Sequence, residues 1–222
     1  MRAMHAMASG LSPLHRLLTL AGFLLGAFAL GLQFAISIPA YLATGMSLPA
    51  ALVQFFSFFT ILTNIAITLV YLSALTGWRW LGWFRRPTTR GMMVGVMLLV
   101  MGFYHVLLRP VWQPEGLFLV CDYLLHYMAP ILYALWWGVT QRHGALAFAA
   151  APAMLVPPLI YLAYVMARGA LTDVYPYPTL NAFELGYGQV AVNVLLVALG
   201  LSLLHILVIG IDRALGRRSA VS

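Results

Sequence analysis

The stretch GYGQVAVNVLLVALGLSLLHILVIGI, Gly186 to Ile211, contains no Asp, Glu, Lys or Arg. An α-helix rises 1.5 Å per residue, so roughly 20 apolar residues cross a hydrocarbon layer about 30 Å thick. This segment is long and apolar enough to do so. Working outward, five more such stretches precede it: Leu14 to Ile38, Ala51 to Leu75, Gly91 to Leu108, Phe118 to Val139 and Ala145 to Ala167. The predicted fold class is all-α: a polytopic membrane bundle of six transmembrane helices. It forms a single integral membrane domain over residues 1–222.

Composition agrees. The chain is 63% hydrophobic and 8% charged, whereas a soluble domain carries about 25% charged residues. Lipid must therefore solvate much of the surface. The net charge of +7 comes from arginines that lie between the apolar stretches. There they set topology, and no nucleic-acid partner is expected. Arg2, Arg16, Arg79, Arg85, Arg86, Arg90, Arg142, Arg213, Arg217 and Arg218 fall on one side, and only Arg109 and Arg168 on the other. The positive-inside bias places both termini in the cytoplasm. The first apolar run follows a basic start, as in a secretory signal, but exceeds the 7–15 residues of a signal core and reads as a retained anchor. The absence of Lys points to a GC-rich coding sequence and a bacterial cytoplasmic membrane. Cys121, alone, excludes an intrachain disulfide.

Polar residues in hydrocarbon are costly and are kept for use. On a continuous second span entered near Ala51, Thr60 lies roughly 13 Å deep, and His126, entered from Phe118, about 12 Å. Gln33, Ser37, Tyr104, His105, Arg109, Gln189 and Asn193 fall at the same outer end. The inner half holds only scattered Thr68, Thr140 and His205. The polar groups thus converge on the outer half of the bundle, where a cavity is expected.

In CDYLLHYMAP, Asp122 and His126 are four apart and share a helix face. The carboxylate either orients the imidazole for base catalysis or pairs with Arg109. In FFSFFTILTN, Thr60 and Asn64 share a face. A Thr hydroxyl becomes a nucleophile when a base takes its proton, and an amide one turn away can serve an oxyanion. Thr63 competes with Thr60 on composition alone, and both can be structural. His105, Asp122 and His126 make a conceivable two-histidine, one-carboxylate metal set. No HExxH or Cys cluster supports it and Arg109 opposes a cation, so neither metal nor other cofactor is expected.

Three segments, FFTILTN (Phe58 to Asn64), LLHYMAP (Leu124 to Pro130) and VYPYPTLN (Val174 to Asn181), resemble the androgen-induced-gene family of six-span membrane proteins. Its eukaryotic members are threonine hydrolases that cleave fatty acid esters of hydroxy fatty acids. By motif position the resemblance implies Thr60 as nucleophile and His126 as base. Departures include Tyr127 and Met128, where animal members are polar, and a His-to-Pro spacing shorter by one.

The expected activity is therefore hydrolysis of a membrane lipid or fatty acid ester in a cavity open to the outer leaflet. Asp122 supports the base, and Asn64 or Asn193 the oxyanion. His105 or Arg109 receives a substrate carboxylate, while Tyr175 and Tyr177, in a restrained aromatic loop, cover the substrate site. The competing readings are a small-molecule transporter, a lipid-binding protein without turnover, and a packing partner for other membrane proteins. Sequence names neither substrate nor protein partner.

Overall fold

The computed structural model describes residues 12–219. Arg2, part of the arginine asymmetry, and the side chain of Arg218 lie outside what is described. Six helical segments are long and apolar enough to cross a membrane: Pro13–Ala43, Phe59–Thr76, Pro87–Leu108, Gly116–Thr140, Phe148–Thr172 and Ala182–Arg217. No strand occurs among the described residues.

The first span is one helix, α1 (Pro13–Ala43). The Ser12 side chain accepts the His15 N–H, and Pro13 occupies the first turn, where its missing donor costs nothing. The second departs from the expected continuous helix. Helix α2 (Leu48–Phe55) ends at Phe56, and α3 (Phe59–Thr76) starts afresh. Neither Gly nor Pro marks the break. Distant side chains hold it instead. Tyr161 Oη donates to the Ser57 carbonyl at 2.8 Å, Ser57 Oγ meets Tyr164 Oη at 2.9 Å, and the Phe59 N–H donates to Tyr177 Oη at 2.9 Å. Non-helical backbone survives at membrane depth only when protein groups satisfy it in this way.

The third span begins as α4 (Pro87–Phe103) and finishes in a π-helical turn, Tyr104–Leu108. The fourth comprises α5 (Gly116–Tyr123), a second π turn, Leu124–Met128, and α6 (Ala129–Thr140). Such turns rotate the following side chains out of α register and gather at functional sites. The fifth, α7 (Ala151–Thr172), carries Pro157 and Pro158 inside it. The sixth, α8 (Ala182–Ser219), is kinked where Gly186 adopts φ 74°, the residue at which the sequence places its start.

Small residues bring the helices together. A Cβ at Gly22 of α1 would lie 2.2 Å from the Tyr71 ring of α3, and one at Gly95 of α4 would lie 2.4 Å from the His205 ring of α8. In lipid, where no hydrophobic force joins helices, close packing of this kind supplies much of the association. Tyr71, Tyr133 and Trp136 fill the middle of the bundle, each almost wholly buried. Trp136 Nε1 donates to Thr19 Oγ1 at 2.8 Å, tying α6 to α1. At the end where α1 begins, Asp212 of α8 accepts the N–H groups of Gly144 and Leu146 and pairs with His143 at 3.1 Å. That clamp fixes the α6–α7 connection.

Candidate active site

At the opposite end, Thr60 occupies the first turn of α3 rather than the interior of a long helix. The facing π turn of the fourth span presents His126. Thr60 Oγ1 lies 3.2 Å from His126 Nε2. His126 Nδ1 lies 3.2 Å from Asp122 Oδ1 and 3.1 Å from the Asp122 carbonyl. Both partners of Nδ1 are pure acceptors, so the proton sits on Nδ1. Nε2 then carries the lone pair that receives the Thr60 hydroxyl proton.

Asp122 is buried, and a carboxylate removed from water needs partners for both oxygens. His126 takes one. Tyr104 Oη donates to the other, Oδ2. The Tyr104 ring also stacks on the imidazole, with centroids 4.0 Å apart and planes 18° apart. Asp122 makes no ion pair with Arg109 among the described residues, so of the two sequence alternatives the geometry adopts the orienting one.

Thr60 and His126 line an apolar cavity containing about 970 Å³ of space between atoms, its open mouth included. Every span but the first contributes to its wall, including Val100 and Phe103 of α4, Leu155 and Pro158 of α7, and Val197 and Leu201 of α8. Leu159 of α7 lines the cavity and is half exposed.

The remaining expected site residues divide. Tyr177 lines the cavity beside Thr60. Tyr175 does not line it: its ring packs over Gly169, where a Cβ would come within 2.0 Å. Asn64 is fully buried, and its amide nitrogen is committed to the Thr60 carbonyl at 2.8 Å and the Leu125 carbonyl at 3.3 Å. It braces α3 against the fourth span and has no N–H left to turn toward an oxyanion. Asn193 reaches the cavity wall, yet its Nδ2 donates to the Thr179 carbonyl at 2.9 Å and so anchors the tyrosine loop. Thr63 Oγ1 donates to the Thr60 carbonyl, as membrane threonines commonly bond their own backbone.

His105 is exposed and bonds Tyr127 Oη at 2.9 Å. Arg109 lines a separate polar pocket with Trp112, Gln113 and Tyr123. Tyr104 stands between that pocket and the apolar cavity and lines both. Thr60 and Arg109 thus line different pockets. Among the described residues no three His, Cys, Asp or Glu side chains gather as a metal set.

Tyr104 and Tyr161 are working parts to which sequence assigned no role. The depth of Tyr104 pointed to the right level. Nothing in the sequence pointed to Tyr161, whose partner is a backbone carbonyl far away in the chain.

Comparison with protein-family models, with curated proteins and with solved structures found no match.

Proposed function

We propose that this protein is an integral membrane hydrolase of lipid esters, using Thr60 as nucleophile and His126 as general base. One observation carries the reading: Thr60 Oγ1 lies 3.2 Å from the lone-pair nitrogen of an imidazole oriented by a buried carboxylate, in the wall of an apolar cavity. A hydroxyl, a base within hydrogen-bond reach and a group orienting the base are the parts that acyl transfer requires. The resemblance of three short motifs to the androgen-induced-gene family of threonine hydrolases supports the same assignment. The arginine distribution supports a site facing the outer leaflet.

In this mechanism the ester's acyl chain occupies the cavity. Thr60 Oγ1 attacks the carbonyl carbon as its proton passes to His126 Nε2. The alcohol leaves with that proton, and water, activated by the same imidazole, releases the acid.

The test uses purified protein in detergent micelles, a fluorophosphonate probe and 4-nitrophenyl palmitate. Wild type should label at Thr60 and hydrolyse the ester. Thr60→Ala and His126→Ala, folded by circular dichroism, should do neither. A folded wild type that binds lipid but neither labels nor turns over would instead favour a binding protein.

A further inference from the structure

Both amide N–H groups of Asn64 are committed to backbone carbonyls and one of the two on Asn193 is, so this pair offers the oxyanion a single N–H at most. The loop before α8 supplies a donor. Tyr177 Oη accepts the Phe59 N–H at 2.9 Å, and the Thr60 amide and the Thr60 and Tyr161 hydroxyls also face it. These amides belong to the first turn of α3, where helix N–H groups lack intrahelical acceptors. A phenol oxygen that accepts from amides is polarised, and its own O–H turns to a hydroxyl, Thr60 Oγ1 or Tyr161 Oη, whose own hydrogen goes to the Ser57 carbonyl. Burial pushes the Tyr177 pKa above the ordinary tyrosine value, which keeps that proton in place at neutral pH.

The ring is held in position. It meets Phe58 and Phe103 edge-on, with centroids 6.1 and 6.0 Å apart. Pro176 and Pro178 restrict the loop, and Asn193 pins the Thr179 carbonyl to α8.

We infer that Tyr177 is a catalytic residue of the proposed hydrolase, donating its phenol hydrogen to the oxygen of the tetrahedral intermediate. This assignment rests on the Thr60–His126 reading. In the resting site the phenol faces Thr60 Oγ1. Attack forms the Oγ1–carbon bond, moves the carbonyl π electrons onto the carbonyl oxygen and sends the Thr60 proton to His126 Nε2. Oγ1 is now an ester-type oxygen and a weak acceptor. The new oxyanion, bonded to the same carbon, is a strong one within reach of the same O–H. Collapse re-forms the carbonyl and expels the alcohol oxygen, which takes the proton from Nε2.

The experiment measures 4-nitrophenyl palmitate hydrolysis and fluorophosphonate labelling for wild type, Tyr177→Phe, and protein with 3,5-difluorotyrosine at position 177. Loss of one oxyanion donor should lower kcat for Tyr177→Phe about 100-fold, with KM nearly unchanged. The fluorinated phenol keeps the acceptor for Phe59 and hence the fold, but ionises at lower pH. Its activity should fall away at lower pH than wild type, because only the protonated phenol donates. A residue that merely accepts from Phe59 would show no such shift. A folded Tyr177→Phe with unchanged kcat, or a fluorotyrosine protein whose alkaline limb matches wild type, overturns the assignment while leaving Thr60 and His126 standing. A wild type without labelling or turnover overturns the hydrolase reading and this assignment together.

Discussion

Tyr104 grips the His126–Asp122 pair twice: its ring lies 4.0 Å from the His126 imidazole, and its hydroxyl binds the Asp122 carboxylate that orients the same imidazole. One side chain from the third span thus fixes both the plane of the base and the charge behind it. Tyr104→Phe keeps the stacking and removes the hydroxyl. A hydrogen bond to a charged group is worth about 1.5–3 kcal/mol. The expected result is a lower unfolding temperature in detergent and roughly tenfold slower labelling of Thr60. Labelling at the wild-type rate would mean Asp122 needs no such support.

Asp122→Asn tests the tautomer. The amide can turn its NH2 group toward Nδ1 and so favour a proton on Nε2, the nitrogen that must receive the Thr60 proton. In a serine-protease triad the equivalent change costs about 10⁴ in kcat. Turnover of 4-nitrophenyl palmitate should fall by at least 10²-fold, with helix content unchanged by circular dichroism.

The break between α2 and α3 predicts a stability effect outside the reacting atoms. Tyr161→Phe strips the Ser57 carbonyl of its donor. Leaving a buried acceptor unpaired costs about 1–3 kcal/mol. Thermal unfolding should shift down by an amount consistent with that loss, and Thr60 labelling should slow because the first turn of α3 is less firmly set.

Asp212→Ala tests the other end of the bundle. It removes the acceptor for the Gly144 and Leu146 amides and the partner of His143. Breaking a buried pair costs about 3–5 kcal/mol. Stability in denaturant should drop sharply, while kcat per folded molecule stays at wild type because the change lies at the end of the spans away from Thr60.

Gly22→Leu should disrupt the contact between α1 and α3. Even a Cβ there would lie 2.2 Å from the Tyr71 ring, so the helices must separate. The expected outcome is loss of monodisperse, folded protein on size-exclusion chromatography. A Gly31→Leu control, with nothing within 4 Å of its Cβ position, should behave as wild type.

Six membrane spans were legible from apolar run length alone, because a bilayer admits few alternatives to a long helix. The level shared by Thr60 and His126 was legible from depth, although the route to it assumed a continuous second span. That assumption failed at Phe56 and Ser57, residues with no strong helix-breaking signal, because the groups that satisfy the break arrive from α7 and the tyrosine loop. The same distance in sequence hid the fully committed amide of Asn64 and the bond from Asn193 to the Thr179 carbonyl, since both side chains look free on a helix face until their carbonyl partners are in place. It also hid the partition by Tyr104 that separates Arg109 from the apolar cavity.

By itself the sequence determined the solvent of this protein and the residues able to do chemistry: lipid contact follows from apolar length, and a hydroxyl, an imidazole and a carboxylate from composition at one depth. Tertiary structure decided which of them touch. Hydrogen bonds act over about 3 Å, and whether Thr60 meets His126, or Tyr177 meets the head of α3, depends on helix packing, a broken span and two π turns that no local pattern encodes.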